Sequence, residues 1–153
     1  MEWPAEFYAQ LAGEGCPLCE EGRPESTEHG LRVFAGAVSD AYLARADIQR
    51  GLSVVVWRGR HVVEPTELGD AEAAAYGGEV LRVARAIQAV FRPVKLNYDV
   101  LGNAAPHLHT HLVPRYADDP RPGWPFPFPH PDPPAMPEAR LLRDATALRR
   151  AAR

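Results

Sequence analysis

The sequence of 153 residues has little lysine, little cysteine and no long apolar run. Lys95 is the single lysine and the formal net charge is -3, so no overall positive field is available to attract nucleic acid. No apolar stretch approaches the roughly 20 residues of a membrane helix, so we expect no membrane partner. The first residues lack the basic and apolar regions of a secretory signal, and we therefore expect a cytoplasmic protein.

Cysteine is equally scarce, and the two that occur, Cys16 and Cys19, form a Cys-Pro-Leu-Cys pair in a stretch typical of a loop. Disulfides are rare in the cytosol. A redox pair usually opens a helix in a thioredoxin-like unit, which the flanking sequence does not resemble. Two interpretations stay open, because the pair either supplies two ligands of a zinc site or is a chance pair of small buried residues.

Histidine is concentrated in one place, since three of the six, His107, His109 and His111, occupy alternate positions. Side chains alternate between the faces of a strand, so the spacing predicts three imidazoles on one face and Leu108 with Leu112 on the other. The leucines fit a core, and the histidines should therefore line a cleft. Same-face neighbours lie about 6.5–7 Å apart, so one metal ion could bind two adjacent histidines but hardly both outer ones. A polar strand face with histidines by chance is the alternative.

The apolar periodicity divides the chain into strands and helices. Helices are predicted over 4–12, 70–91 and 138–151, and strands over 31–36, 41–48, 51–59, 95–101 and 107–115, with a hairpin turn at Ser39-Asp40. This order predicts an α+β fold in which an antiparallel sheet of about five strands carries one long helix.

A proline-rich arm follows the last strand, because nine of the 16 prolines lie between Pro120 and Pro137. Proline excludes a central strand or a helix there, so we expect an extended arm over the surface. We interpret residues 117–153, the arm and the last helix, as an extension of the domain formed by 1–116. The arm aromatics Trp124, Phe126 and Phe128 either pack on the protein or its dimer partner, or dock another partner. His130 is expected to face solvent.

The residues around the histidine row carry a family resemblance. His107 to Val113 fits the pattern His-φ-His-φ-His-φ-φ, with Thr110 as the one polar φ, and the stretch NYDVLGNAAPHLHTHLVPRY resembles the histidine triad (HIT) family of nucleotide hydrolases and transferases. GLSVVVWRGRHVVEPTEL resembles that family's earlier strand and its histidine-bearing turn. The similarity runs from about Cys16 to Tyr116. It implies the sheet-and-helix fold described above, a homodimer that pairs through the long helix and adjoining strand, and a nucleotide-binding catalytic domain.

The resemblance also implies catalytic roles. The family forms a covalent nucleotidyl-histidine at the α-phosphorus of a nucleotide, and its nucleophile corresponds to His109. His111 corresponds to a donor to the phosphate. Asn103 stands beside the leaving group where many relatives have glutamine, and Ala104 replaces a serine that some relatives use on that side. A neutral imidazole is a competent nucleophile near pH 7, since its unperturbed pKa is about 6.5.

Binding residues follow from the same resemblance. The nucleotide, a small-molecule partner, is expected to contact Asp47 through its ribose, Ile48 through its base, and Asn97 and His111 through its phosphate. A zinc ion is implied as well. Some members of the family complete a cysteine pair with two histidines, and these correspond to His61, in the turn after the apolar strand, and His107, so that the four ligands are Cys16, Cys19, His61 and His107. His29 is a competing fourth ligand.

The sequence leaves three functions open. The first is a nucleotide hydrolase or nucleotidyl transferase acting on substrates of the dinucleoside polyphosphate or phosphoramidate type. The second is a non-catalytic nucleotide-binding protein. The third is a metal-dependent hydrolase that uses the histidine cluster, which needs a nearby carboxylate, with Asp99 as the nearest candidate.

Overall fold

The computed structural model describes residues 2–127 and 131–153, so the predictions for Phe128 and His130 lie outside the described residues. The helices are α1 (Ala5–Leu11), α2 (Pro17–Glu20), α3 (Asp70–Phe91) and α4 (Glu138–Ala151), and a short 3-10 turn covers Pro65–Glu67. The strands are β1 (Gly30–Ala35), β2 (Ser39–Ala44), β3 (Ser53–Trp57), β4 (Lys95–Asp99) and β5 (His109–Arg115). None of the described helices is long and apolar enough to cross a membrane.

The five strands form one antiparallel sheet with the order β1-β2-β3-β5-β4. The predicted α+β architecture, with about five strands and one long helix, is confirmed. β5 lies between β3 and β4, and His111 is paired with a strand on both sides. His111 is opposite Val54 on β3 and Asp99 on β4, and His109 is opposite Val56. β4 is left as an edge strand.

The core lies between the sheet and α3, whose buried residues are Tyr76, Val80, Val83, Ala84, Ala86, Ile87 and Phe91. Burying each large apolar side chain contributes about 1.5–3 kcal/mol, which holds α3 on the sheet. Thr110, on the same strand face as Leu108 and Leu112, is also buried. Its hydroxyl has a hydrogen-bond partner there, the Tyr76 hydroxyl at 2.8 Å. The helix ends at Phe91, and Arg92 caps it in a left-handed conformation with a φ of 52°, directly before Pro93.

The predicted turn at Ser39-Asp40 is wrong, because β2 already begins at Ser39. The chain turns earlier, where the Gly36 N–H donates to the Ser39 carbonyl at 2.7 Å. The carboxylate of Glu79 on α3 holds this turn, since it accepts from the Ala37 N–H at 2.6 Å and from the Ser39 hydroxyl. A partner 40 residues away in sequence therefore fixes the start of β2.

Candidate active site and metal centre

The histidine row is divided between two neighbouring sites. His109 and His111 lie in β5, and both line a cavity of about 220 Å³ on the sheet. His107 precedes β5, is 2% exposed, and its Nδ1 lies 3.4 Å from the sulfur of Cys16 and 3.4 Å from that of Cys19. The cleft predicted for three imidazoles is therefore lined by two of them.

A backbone carbonyl orients His109. Its Nδ1 lies 2.6 Å from the carbonyl oxygen of His107. A carbonyl only accepts, so Nδ1 carries the proton and Nε2 carries the lone pair. Burial lowers the pKa of His109 below its ordinary value, which favours the neutral ring. The result is a neutral imidazole whose lone pair is on Nε2.

His111 lies beside His109, with ring centroids 5.1 Å apart in an edge-to-face arrangement. Burial, and then the nearby His109, lower the pKa of His111 to about 4. Both rings are therefore neutral near pH 7, and like-charge repulsion between them is avoided. A neutral imidazole keeps one N–H, so His111 can donate to an anionic oxygen beside His109.

A second cavity, of about 470 Å³, shares His29, Val54 and His111 with the first. Ile48 lines it, so the structure brings this predicted base-pocket residue and His111 to one cavity. Its other walls are mostly apolar. Part of the proline-rich arm, Pro133, Pro134 and Ala135, also lines the cavity, which the sequence did not indicate.

Asp47 lies at the border of the larger cavity, between two residues that line it, Ala46 and Ile48. Its carboxylate forms an ion pair with Arg140 of α4, and its N–H donates to the Pro134 carbonyl at 2.7 Å. Among the described residues, the lining of the cavity does not include Asp47 itself. Asp47, the residue predicted to contact the ribose, is therefore held by the C-terminal part of the chain.

The two predicted asparagines lie away from both histidine cavities. Asn97 accepts a hydrogen bond from Arg115 Nη1 at 2.8 Å and lines a different cavity, of about 690 Å³, with Tyr98 and Trp124. Asn103 is exposed in the β4–β5 loop, directly after Gly102, whose φ is +74°. Neither asparagine is part of the described lining around His109.

The four predicted metal ligands come together. One donor atom each from Cys16, Cys19, His61 and His107 lies within 4.8 Å of the other three. His107 Nε2 lies 2.7 Å from the Trp57 carbonyl, so Nε2 carries the proton and the lone pair of Nδ1 faces the two sulfurs. His61 Nδ1 lies 3.2 Å from the Cys19 sulfur. His29 is elsewhere, largely exposed and 3.2 Å from Glu28.

The chemistry of this cluster fits a cation. Burial, and then the hydrogen bond with Cys16, raise the pKa of the Cys19 thiol to about 11. Two thiolates beside one another therefore need a positive ion to coexist. Two sulfurs and two imidazole nitrogens are the donor set of a closed tetrahedral zinc site.

A buried arginine, Arg58, which the sequence analysis did not single out, joins α2 to the sheet. Arg58 donates to the Leu18 carbonyl at 2.8 Å, to Glu21 at 2.9 Å and to Asp40 on β2 at 3.0 Å. Buried charges persist only when paired, so this network fixes α2, the short helix that carries Cys19. The sequence did contain a signal for this network. An aspartate inside an apolar strand, Asp40, and an arginine directly after the next strand, Arg58, are unusual for a core.

The features that define the class of protein are an antiparallel sheet with one long helix, a histidine pair that lines a cavity and a Cys₂His₂ cluster. The HIT domain family model matches residues 39–118, and the chain belongs to this family. A histidine triad protein from Bradyrhizobium japonicum is similar in structure, with a TM-score of 0.71 and 27% identity over 82% of this chain and 92% of that chain.

Two further solved structures share the fold. A histidine triad protein from Marinobacter aquaeolei has a TM-score of 0.71 and 22% identity, covering 81% of this chain and 89% of that chain. A Zn-bound histidine triad family protein from Mycobacterium smegmatis has a TM-score of 0.55 and 22% identity, covering 96% of this chain and 91% of that chain. No curated protein matches the sequence.

Proposed function

We propose that the protein is a nucleotide hydrolase or nucleotidyl transferase that acts at the α-phosphorus of a nucleoside phosphate, of the dinucleoside polyphosphate or phosphoramidate type. The observation that carries the proposal is the hydrogen bond of His109 Nδ1 to the His107 carbonyl, which leaves Nε2 as the nucleophilic atom in a cavity shared with His111. Membership of the HIT domain family supports nucleotide binding.

The reaction has two steps. His109 Nε2 attacks the α-phosphorus, an N–P bond forms, and the bond from phosphorus to the leaving group breaks with its electron pair on the leaving group. The His107 carbonyl, 2.6 Å from Nδ1, stabilises the positive charge that the ring gains. Water or another acceptor then attacks phosphorus and loses a proton, and the N–P electron pair returns to His109.

His111 stabilises the charge on the phosphoryl oxygens by donating its N–H, which is most effective where transition-state charge appears. Asn103 and Asn97 have supporting roles in this proposal, at the leaving group and the phosphate. Both side chains must turn from the positions described above to reach them. Asp47 must likewise share its carboxylate with Arg140 if it is to hold the ribose.

We also propose that Cys16, Cys19, His61 and His107 bind one zinc ion. The clustered donor atoms and the tautomer of His107 support this, as does the zinc-bound relative from Mycobacterium smegmatis. Zinc would supply a closed structural centre. The four ligands come from the start and interior of α2, the turn after β3 and the segment before β5, so the centre would also fix the carbonyl that orients His109.

Adduct trapping tests the catalytic proposal. The zinc-loaded protein is incubated with dinucleoside polyphosphates and nucleoside phosphoramidates and quenched at alkaline pH, where phosphorus–nitrogen bonds of histidine survive. Peptide mass spectrometry should find one nucleotidyl group on His109. Turnover without an adduct would favour the metal-dependent hydrolase, and tight binding without turnover would favour the nucleotide-binding protein.

A homodimer is proposed as well, through the free edge of β4. Exposed apolar residues collect at and near this edge: Val94, Tyr98, Val100, Leu101 and Trp124. The resemblance implies pairing through the long helix and the adjoining strand, but the apolar residues of α3 from Tyr76 to Phe91 are largely buried within the chain itself. A cytoplasmic location is retained as a proposal, because reduced thiols are maintained there and can bind zinc.

A further inference from the structure

We propose that residues 133–136 of the proline-rich arm form the wall that recognises the nucleotide base. We call this segment the strap. It lies outside residues 39–118, the part of the chain that matches the HIT domain family. The inference rests on the proposed function, because it assigns the base to a cavity that His111 also lines.

The strap is attached to the sheet side of the cavity by backbone pairing. The Asp47 N–H donates to the Pro134 carbonyl at 2.7 Å, and the Met136 N–H donates to the Arg45 carbonyl at 2.7 Å. Between these bonds, Ala135 and Ala46 form an antiparallel bridge. Pro134 has no N–H to donate, which suits the outer strand of such a pair.

Two anchors hold the strap in place. Met136 is 6% exposed and belongs to the core, so lifting the strap would expose a side chain whose burial contributes about 1.5–3 kcal/mol. Directly after the strap, Arg140 of α4 forms an ion pair with Asp47. The strap is therefore a fixed wall, and the pocket is built before a ligand arrives.

The cavity beneath the strap suits a planar base. Pro133, Pro134 and Ala135 lie on one side, and Ile48 and Leu52 also line it. Apolar surfaces bind the faces of an aromatic ring, and about 470 Å³ is within the range of small-molecule sites. The polar residues around the cavity include Glu28 and His29, and His29 is largely exposed. We infer that the base of a nucleoside 5′-phosphate is selected by its shape and its apolar faces.

A bulky side chain on the strap tests this. Ala135 is exposed and lines the cavity, so Ala135→Phe places a ring in the base space without entering the core. Ala139→Phe is the matched control, since Ala139 is an exposed alanine on α4 that is not among the described lining residues. The dissociation constants of AMP, CMP and ribose 5-phosphate are measured by titration calorimetry on the zinc-loaded full chain.

We expect Ala135→Phe to weaken AMP and CMP binding at least about tenfold, which corresponds to ~1.4 kcal/mol, and to leave ribose 5-phosphate within about twofold. Ala139→Phe should change none of the three. A second variant, Pro134→Ala, removes the ring but keeps the carbonyl that pairs with Asp47. It should weaken AMP severalfold and again spare ribose 5-phosphate.

Three results would overturn the inference. AMP affinity could be unchanged in both strap variants, all three ligands could weaken equally, or the wild type could bind AMP no better than ribose 5-phosphate. Each leaves the proposed nucleotide chemistry standing. If the wild type binds none of the three, the proposed function itself fails and the strap loses its role with it.

Discussion

A single carbonyl group decides which nitrogen of His109 can react. It belongs to His107, whose own ring faces the cysteines, so the proposed nucleophile and one proposed zinc ligand are only two residues apart in the chain. The catalytic proposal can therefore be tested separately from the metal site, because His109 contributes no donor atom to the cluster.

His109→Ala should abolish turnover, because no other group replaces an attacking Nε2. His111→Ala should lower the rate by about 10²–10³, the usual cost of losing one donor to transition-state charge. Steady-state rates on the best substrate measure both effects. Zinc content and the thermal transition serve as controls, and both should match the wild type. Near-normal hydrolysis by His109→Ala would show that covalent histidine catalysis is wrong.

His111 should make stability depend on pH. Its pKa is about 4 in the folded protein, against about 6.5 when unfolded. Between these values the unfolded chain binds the proton more readily, so stability is lost as pH falls from 6.5 towards 4. Urea unfolding at pH 7 and 5.5 should show a loss larger by on the order of 1 kcal/mol in the wild type than in His111→Asn. Equal losses would contradict the burial argument.

Residue spacing alone predicted that His109 and His111 share a cavity, because strand alternation is a local property. It did not predict the ion pair of Asp47 with Arg140, which lie 93 positions apart in sequence and meet only after α4 packs. The hydrogen bond from Arg115 to Asn97 was missed for the same reason, since an arginine after a strand has no fixed partner in sequence.

At the level of elements, local signals predicted the three longer helices better than the strand ends. The expected loop around the cysteines is wrong over Pro17–Glu20, because the short helix α2 forms there. The periodicity of α3 and the stop at Pro93 give the predicted bounds, Asp70 and Phe91. The start of β2 was misplaced, because its turn is held by Glu79 from another element. The sequence did not reveal the strap, because it pairs with Arg45 and Asp47 through backbone N–H and carbonyl groups, and side-chain patterns do not show such pairing.

The cluster of Cys16, Cys19, His61 and His107, which joins three elements, gives the prediction at this scale. His61→Gln should lose the zinc ion, and the thermal transition should fall by several degrees, because about 1 kcal/mol shifts it by roughly 2–4 °C at this size. His29→Gln is the matched control and should keep about one zinc per chain, since His29 lies outside the cluster. Elemental analysis and calorimetry measure both. Zinc loss in His29→Gln alone would reassign the fourth ligand.

For the whole molecule, the C-terminal residues share the core of the sheet. Leu141, Ala145 and Leu148 of α4 are buried, and α4 contacts both α3 and β1. This supports the interpretation of 117–153 as an extension of the first domain, which stays a prediction. The arm aromatics also lie near arginines of the chain, with Phe126 5.9 Å from Arg115 and Trp124 5.8 Å from Arg121.

The edge of β4 leads to the prediction for the assembly. An unpaired edge with exposed apolar side chains is a template for pairing with a second strand, and Val94 is 69% exposed there. Light scattering at micromolar concentration should therefore give a mass near twice the 16.8 kDa of one chain. Val94→Glu should give the monomer mass, because a dimer would bury two carboxylates against apolar surface.

Leu142→Glu is the control, since this exposed leucine lies on α4, outside the sheet, and the variant should stay dimeric. A wild type with the mass of one chain would contradict the dimer. A dimer that Leu142→Glu dissociates and Val94→Glu leaves intact would place the pairing surface away from β4.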